Sequence, residues 1–177
     1  ATAVPTEPVA ISQQDCMYAP RVVGARVGQP LQITNNDDTT NNLHSLSMAG
    51  NDFNTSQPTK GMVFTYALKA GEMLHIKCDI HVWMNSYVGV VDHPYFAVSG
   101  ADGAFTIANV PAGKHTVRVW HETMGTMTQV VDVQPGKAAT LDLTYAPGQK
   151  TAQADNVQIR DWLVPSGARR VNLVVLR

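Results

Sequence analysis

The sequence predicts an all-β protein composed of two β-sandwich modules. Short apolar or alternating runs recur along the chain, and clusters of turn-forming residues separate them. No long stretch shows the 3.6-residue period of an amphipathic helix. The chain has 177 residues, enough for one domain or two small ones, and 44% of them are hydrophobic, which favours a packed core.

The first group of predicted strands is long enough to close one sandwich. Each run is apolar or alternates between apolar and polar residues, and turn signals such as Gly28-Gln29-Pro30 and Lys69-Ala70-Gly71-Glu72 separate the runs. In chain order, the predicted strands are Val9–Gln13, Val22–Val27, Leu31–Thr34, Leu43–Met48, Met62–Leu68, Met73–Cys78 and Tyr87–Val91.

A second group of strands follows a domain boundary that is predicted near Asp92. Glycine and proline turns at residues 101–103, 111–113 and 134–136 separate these strands. We therefore predict one domain over residues 1–92, a smaller β module over 93–146 and an unassigned C-terminal extension over 147–177. The strands of this group are Phe96–Ser99, Phe105–Val110, His115–His121, Thr128–Val133, Ala139–Tyr145, Val157–Leu163 and Val171–Leu176.

Composition excludes some classes of protein. The net charge is −1 and charged residues make up 15%, so bulk charge gives no reason to expect nucleic-acid binding. No apolar run approaches the roughly 20 residues that a transmembrane helix needs. The sequence starts Ala1-Thr2-Ala3, without methionine, which is compatible with a mature product after signal cleavage. We therefore expect a periplasmic or extracellular protein.

The segment between two predicted strands carries a set of metal-ligating residues. Cys78, His81 and Met84 follow the spacing C-x2-H-x2-M, and His44 lies upstream on another strand. Two histidines, one cysteine and a weak axial methionine are the ligands of a blue-copper electron-transfer site. Cys78 shares its strand face with Leu74 and Ile76, so its sulfur is expected to point into the core.

Other uses of these residues stay open. Cys16 and Cys78 could form a disulfide in an exported protein, and a disulfide sulfur is not a thiolate ligand. The protein would then be a metal-free structural or interaction β protein. If Cys78 binds a metal, Cys16 is expected to be a buried free thiol. Zinc fits less well, because methionine is a poor zinc ligand.

Residues 9–92 resemble a cupredoxin, the Greek-key β-sandwich of plastocyanin and amicyanin. The resemblance rests on the Cys78–Met84 loop and on His44-Ser45-Leu46. It implies one type 1 copper ion held by His44, Cys78, His81 and Met84, with electron transfer as the function. It also implies a redox partner, such as a cytochrome or a respiratory complex, and it allows peripheral membrane association through that partner.

The resemblance has departures. Through Lys77–Met84 and His93–Val98, the chain more closely resembles a group of exported bacterial proteins. That group often carries histidine where this chain has Asn41, proline where it has Val82, and histidine where it has Arg21. We predict that His44 supplies the first imidazole, because it is the only histidine in its segment. Residues 93–146 resemble a transthyretin-like, carboxypeptidase-regulatory-type module, through the phrases Asp102–Ile107 and Val110–His115. Such modules are generally non-catalytic.

A copper enzyme is a further alternative. It would need a second, catalytic copper site, and the remaining histidines are His75, His93, His115 and His121. His93 and His121, with Glu122, have no ligand spacing in common, so structural roles are favoured for them. No nucleophile–base arrangement or phosphate-binding loop is present. The sequence therefore favours an electron carrier over an enzyme.

Overall fold

The computed structural model describes residues 2–145 and 172–176. Among these, residues 2–94 form one compact unit, and residues 95–145 with 172–176 form a second. Every regular element in the described residues is a β-strand, which confirms the predicted all-β class. The described residues contain no helix that is long and apolar enough to cross a membrane.

The first unit contains nine strands in two sheets. The strands are β1 (Val9–Gln14), β2 (Met17–Ala19), β3 (Val22–Arg26), β4 (Pro30–Asn35), β5 (Asn41–Leu46), β6 (Asn54–Gln57), β7 (Val63–Ala67), β8 (Glu72–Lys77) and β9 (Asn85–Val91). One sheet has the order β2-β1-β4-β7 and the other has the order β3-β9-β8-β5-β6. The pairs β1–β4 and β3–β9 are parallel, and the remaining neighbours are antiparallel.

One apolar core lies between these two sheets. Leu31 and Ile33 come from the first sheet, and Leu74, Ile76 and Val88 come from the second, all with no exposed surface. Full burial of one such side chain contributes about 1.5–3 kcal/mol. The sandwich therefore holds the ends of β5, β8 and β9 on a rigid support, and the candidate ligands lie at these ends.

Two short strands were not predicted from the sequence. β2 has three residues, and β6 has the wholly polar sequence Asn-Thr-Ser-Gln. Neither has an apolar alternation that could reveal it. Each instead pairs with a neighbour that does have the pattern, β2 with β1 and β6 with β5.

The second unit is built on one sheet, whose strands are β10 (Phe96–Val98), β11 (Gly113–His121), β12 (Gly125–Val133) and β13 (Asn172–Leu176). Their order in the sheet is β10-β13-β11-β12. The predicted strands Phe105–Val110 and Ala139–Tyr145 do not form; their apolar side chains pack on Val117, Val119 and Val175 without joining a sheet ladder. The predicted strand Val157–Leu163 lies outside the described residues.

Candidate metal centre

The loop that joins β8 to β9 is closed by its own backbone. Cys78 follows β8 directly and Met84 precedes β9 directly. The Cys78 N–H donates to the Met84 carbonyl at 3.3 Å, and the Met84 N–H donates to the His81 carbonyl at 2.9 Å. Cys78 and Met84 have 1% and 0% of their surface exposed and belong to the core. The predicted inward direction of Cys78 is thereby confirmed.

The Cys78 sulfur lies among polar groups of the backbone and of one imidazole. Its Sγ accepts the backbone N–H of Asn42 at 3.4 Å and that of His81 at 3.3 Å. His81 Nδ1 lies 3.9 Å from the same sulfur. These two hydrogen bonds hold the sulfur in place beside the His81 imidazole.

Asn41 occupies the position on β5 that faces this imidazole. Its Oδ1 lies 2.9 Å from His81 Nδ1. Its Nδ2 donates to Asn35 Oδ1 at 3.0 Å and to Asp37 Oδ2 at 2.9 Å. Because both of these partners are acceptors, the amide orientation is fixed and its oxygen points at His81. Asn41 is completely buried.

His44 lies on the opposite face of β5. Side chains alternate along a strand, and on β5 the buried residues are Asn41, Leu43 and Ser45. His44 pairs with Lys77 across the ladder, and its Nδ1 lies 2.8 Å from Asp79 Oδ2. The structure therefore brings Cys78, His81 and Met84 together, places Asn41 beside them, and does not bring His44 to this group.

On the outer face of β5, His44 belongs to a small cluster of ionisable side chains with Lys77 and Asp79. Lys77 Nζ lies 2.7 Å from Asp79 Oδ1. The hydrogen bonds that Lys77 and then His44 donate hold the pKa of Asp79 below its ordinary value. All three side chains are partly solvent-exposed, so these pairs contribute little to stability.

Cys16 approaches His81 from the turn between β1 and β2. Cys16 and Cys78 are both free thiols, so the possible disulfide is not formed in this structure. Cys16 Sγ lies 3.8 Å from His81 Nε2. The Trp83 indole N–H donates to the Cys16 carbonyl at 3.0 Å, which joins the turn to the β8–β9 loop.

Asp37 organises the surroundings of the centre, and sequence reasoning missed it. Its carboxylate accepts the backbone N–H of Asp15 at 2.6 Å and of Cys16 at 3.2 Å, in addition to the Asn41 amide. Asp15 and Cys16 have φ of 54° and 53°, an uncommon region for residues other than glycine. The run Asn35-Asn36-Asp37-Asp38 was the available signal, because Asn and Asp side chains often bind nearby backbone.

Asp37→Ala is expected to lower the free energy of unfolding by about 2–3 kcal/mol, because hydrogen bonds to a charged group are worth about 1.5–3 kcal/mol. Urea denaturation of the metal-free protein measures this loss. The matched control is Asp38→Ala, which removes only an exposed pair with Lys60 and is expected to cost under about 1 kcal/mol. Equal losses in the two variants would contradict the role assigned to Asp37.

The other histidines have structural partners. His75 stacks on Tyr87 at 4.6 Å, and buried His115 places Nε2 2.6 Å from the Pro111 carbonyl. His121 Nδ1 accepts the Thr123 N–H at 3.1 Å in the turn after β11. In the part of the chain that the structure describes, no three His, Cys, Asp or Glu side chains converge as a metal-binding group.

His93 differs from His121 in both location and environment. His93 lies in the first compact unit, whereas His121 lies in the second. Burial lowers the pKa of His93, and this effect exceeds the opposing one of neighbouring Asp92. This environment favours a neutral imidazole in the folded protein.

Comparison with known proteins finds both predicted resemblances. A carboxypeptidase regulatory-like domain matches residues 85–146. The match ends where the second module was predicted to end, and it begins at the first residue of β9. No curated protein matches the chain.

Solved structures with similar folds include cupredoxins. A purple cupredoxin from Nitrosopumilus maritimus is 20% identical, covering 46% of this chain and 97% of that one, with a TM-score of 0.40. A reduced amicyanin variant is 16% identical, and the match covers 49% of this chain and 85% of that one, with a TM-score of 0.43. A copper-containing nitrite reductase from Thermus scotoductus is 18% identical, and the match covers 51% of this chain and 24% of that one, with a TM-score of 0.42.

Proposed function

We propose that this chain is an exported mononuclear copper protein that transfers single electrons, either as a free carrier or as a subunit of a larger redox complex. One observation carries the proposal. Cys78 Sγ accepts two backbone N–H groups and lies 3.9 Å from His81 Nδ1, in a loop that buried Met84 closes.

The residues present fit a copper ion. Thiolate, imidazole and thioether donors suit copper, whereas hard cations prefer oxygen donors. Cys78 Sγ and His81 Nδ1 are 3.9 Å apart, a separation that one ion spans with bonds of about 2.0–2.3 Å to each. We propose Cys78, His81 and Met84 as donors, with the Asn41 amide oxygen taking the place that the sequence had given to His44. When bound, copper supplies a one-electron couple between Cu(II) and Cu(I).

The chain itself supplies a rigid frame and a contact surface. Asn41 is fixed by Asn35 and Asp37, and the loop is fixed between β8 and β9, so the donors keep their positions when charge changes. Val82 and Trp83 are 76% and 56% exposed next to His81. This surface would meet a redox partner such as a cytochrome.

The test of this function is spectroscopic. Protein loaded with one equivalent of Cu(II) is expected to show an intense visible thiolate-to-copper band and a Cu(II) EPR signal. Ascorbate should bleach the band, and oxidised cytochrome c should restore it. Absence of the band in folded, copper-loaded protein would overturn the proposal. Recovery of the protein from the periplasmic or extracellular fraction of producing cells tests its export separately.

Met84→Gln is expected to retain copper and lower its reduction potential, because a harder axial donor favours Cu(II). Spectroelectrochemical titration of the loaded protein measures this change. The control is Met48→Gln, since Met48 is 58% exposed, and its potential should equal that of the unmodified protein. An unchanged potential in Met84→Gln would remove Met84 from the donor set.

A further inference from the structure

In the part of the second unit that the structure describes, much of the apolar core is only half-buried. Val117, Val119 and Val175 are 2%, 4% and 2% exposed. The apolar side chains that pack on these three residues are less buried, among them Phe105, Ile107, Leu141 and Leu143. In the first unit, by contrast, most of the residues that form the core are buried. The second unit therefore keeps apolar surface within reach of solvent.

A cavity of about 740 Å³ lies beside this half-buried surface. Its lining combines sheet residues such as Val119 with side chains from residues 105–110 and 139–143. These two segments belong to no sheet and lie on the core through side-chain packing. The Tyr145 hydroxyl lies 3.2 Å from the Val119 carbonyl and 3.0 Å from the Gly125 carbonyl, which anchors one end of the lining. The volume falls in the range of about 300–1,000 Å³ that is usual for small-molecule sites.

The charges around the cavity are few and balanced. Lys137 and Asp142 are the charged residues of the described lining, and both are exposed. A charged ligand would therefore enter a largely apolar space without a buried partner of opposite charge, which is unfavourable. Apolar cavities also hold water poorly and accept apolar molecules. The lining also contains Thr106, Asn109 and Thr140, whose hydroxyl and amide groups can bond to one polar group of a ligand.

We propose that this cavity binds an uncharged, largely apolar small molecule. The ligand covers the half-buried faces of Phe105, Leu141 and Leu143, and removal of this surface from water drives binding. Because the sheet and the two segments both contribute to the lining, the space suits a small molecule better than the surface of another protein. The described lining residues all belong to the second unit, so binding does not depend on the proposed copper centre.

Fluorescence titration of the full chain with N-phenyl-1-naphthylamine, an uncharged apolar probe, tests the proposal. We expect a saturable enhancement at one probe per chain. Displacement by 1-decanol identifies a site for acyl chains, and displacement by phenanthrene identifies a site for fused rings. Decanoate carries a negative charge on a chain of the same length and should compete at least about 10-fold less well than 1-decanol. Absence of saturable binding, displacement by neither compound, or equal competition by decanoate would overturn the proposal.

Leu143→Trp tests the location of the site, because the larger side chain occupies part of the cavity. We expect it to weaken probe binding by on the order of 10-fold or more, since the loss of room for two methylene groups already costs about that much. The matched control is Val130→Trp. Val130 is 63% exposed on β12 and lies outside the described lining, so this variant should bind the probe as the unmodified chain does. Unchanged binding in Leu143→Trp, or equal weakening in the two variants, would contradict this location.

Two further variants keep the result interpretable. If Leu143→Trp loses its native circular dichroism, Ala139→Trp places the same side chain in the lining at an exposed residue and carries the same expectation. Val82→Asp removes apolar surface from the β8–β9 loop, where Val82 is 76% exposed, and should leave probe binding unchanged. Loss of probe binding in Val82→Asp would assign the probe to that loop and overturn the cavity site.

Discussion

Asn41→His is expected to raise the affinity for Cu(II) by on the order of 10–100-fold and to intensify the visible thiolate-to-copper band. Asn41 is buried and presents its amide oxygen to His81, while its nitrogen binds Asn35 and Asp37. An imidazole at residue 41 could donate its N–H toward that same pair and direct its other nitrogen at the centre. Imidazole is a stronger copper ligand than an amide oxygen, so the exchange adds affinity.

The matched control for this variant is His44→Asn. His44 lies on the outer face of β5 and bonds to Asp79, so its loss should leave copper affinity and the visible band unchanged. Titration against a Cu(II) chelator of known affinity compares both variants with the unmodified protein. If His44→Asn weakens copper binding and Asn41→His does not strengthen it, the ligand set predicted from the sequence would be correct instead.

Cys78→Ser is expected to abolish the visible band and to lower Cu(II) affinity by on the order of 100-fold or more. The band requires a sulfur-to-copper bond, which a serine hydroxyl cannot provide. The fold should persist, because the serine oxygen can accept the N–H groups of Asn42 and His81 that now bind sulfur. Visible absorption of the copper-loaded variant, with circular dichroism as the folding check, measures both effects.

Cys16→Ser provides the comparison for Cys78→Ser. Cys16 contacts Nε2 of His81, whereas the Cys78 sulfur lies beside Nδ1, so the band should remain in this variant. A band that persists without Cys78 and disappears without Cys16 would assign the thiolate to Cys16. The two serine variants therefore separate the roles of the two thiols.

Much of the fold could be predicted because its signal is local. The alternation Leu74, Ile76, Cys78 identified β8 and the inward direction of the sulfur, and all three residues are buried. β6 could not be predicted in this way, because its residues are polar and its position depends on pairing with β5. In the second unit, Phe105 and Leu141 belong to segments with the apolar pattern of strands. Their side chains pack on the core, but their backbones do not join a sheet.

The upstream ligand position was not predictable from its own segment. In the run Asn41–Leu46, Leu43 and Leu46 fall on opposite faces of a strand, so apolar alternation does not decide which face is buried. The choice depends on distant contacts, namely those of Asn41 with Asn35 and Asp37, and of Ser45 with the Phe53 carbonyl at 3.1 Å. His44, the only histidine of this segment, therefore lies on the face of β5 opposite Asn41.

The short length of the β8–β9 loop limits how far copper would stabilise the fold. Cys78, His81 and Met84 are so close in sequence that a denatured chain keeps them within reach of one ion. A ligand that also binds the denatured state stabilises the native state only by the difference between the two affinities. That difference would come from Asn41 and from the Asn42 N–H group, which only folding brings to the imidazole and the sulfur. Copper would then raise the denaturation midpoint by much less than its affinity for the native protein suggests.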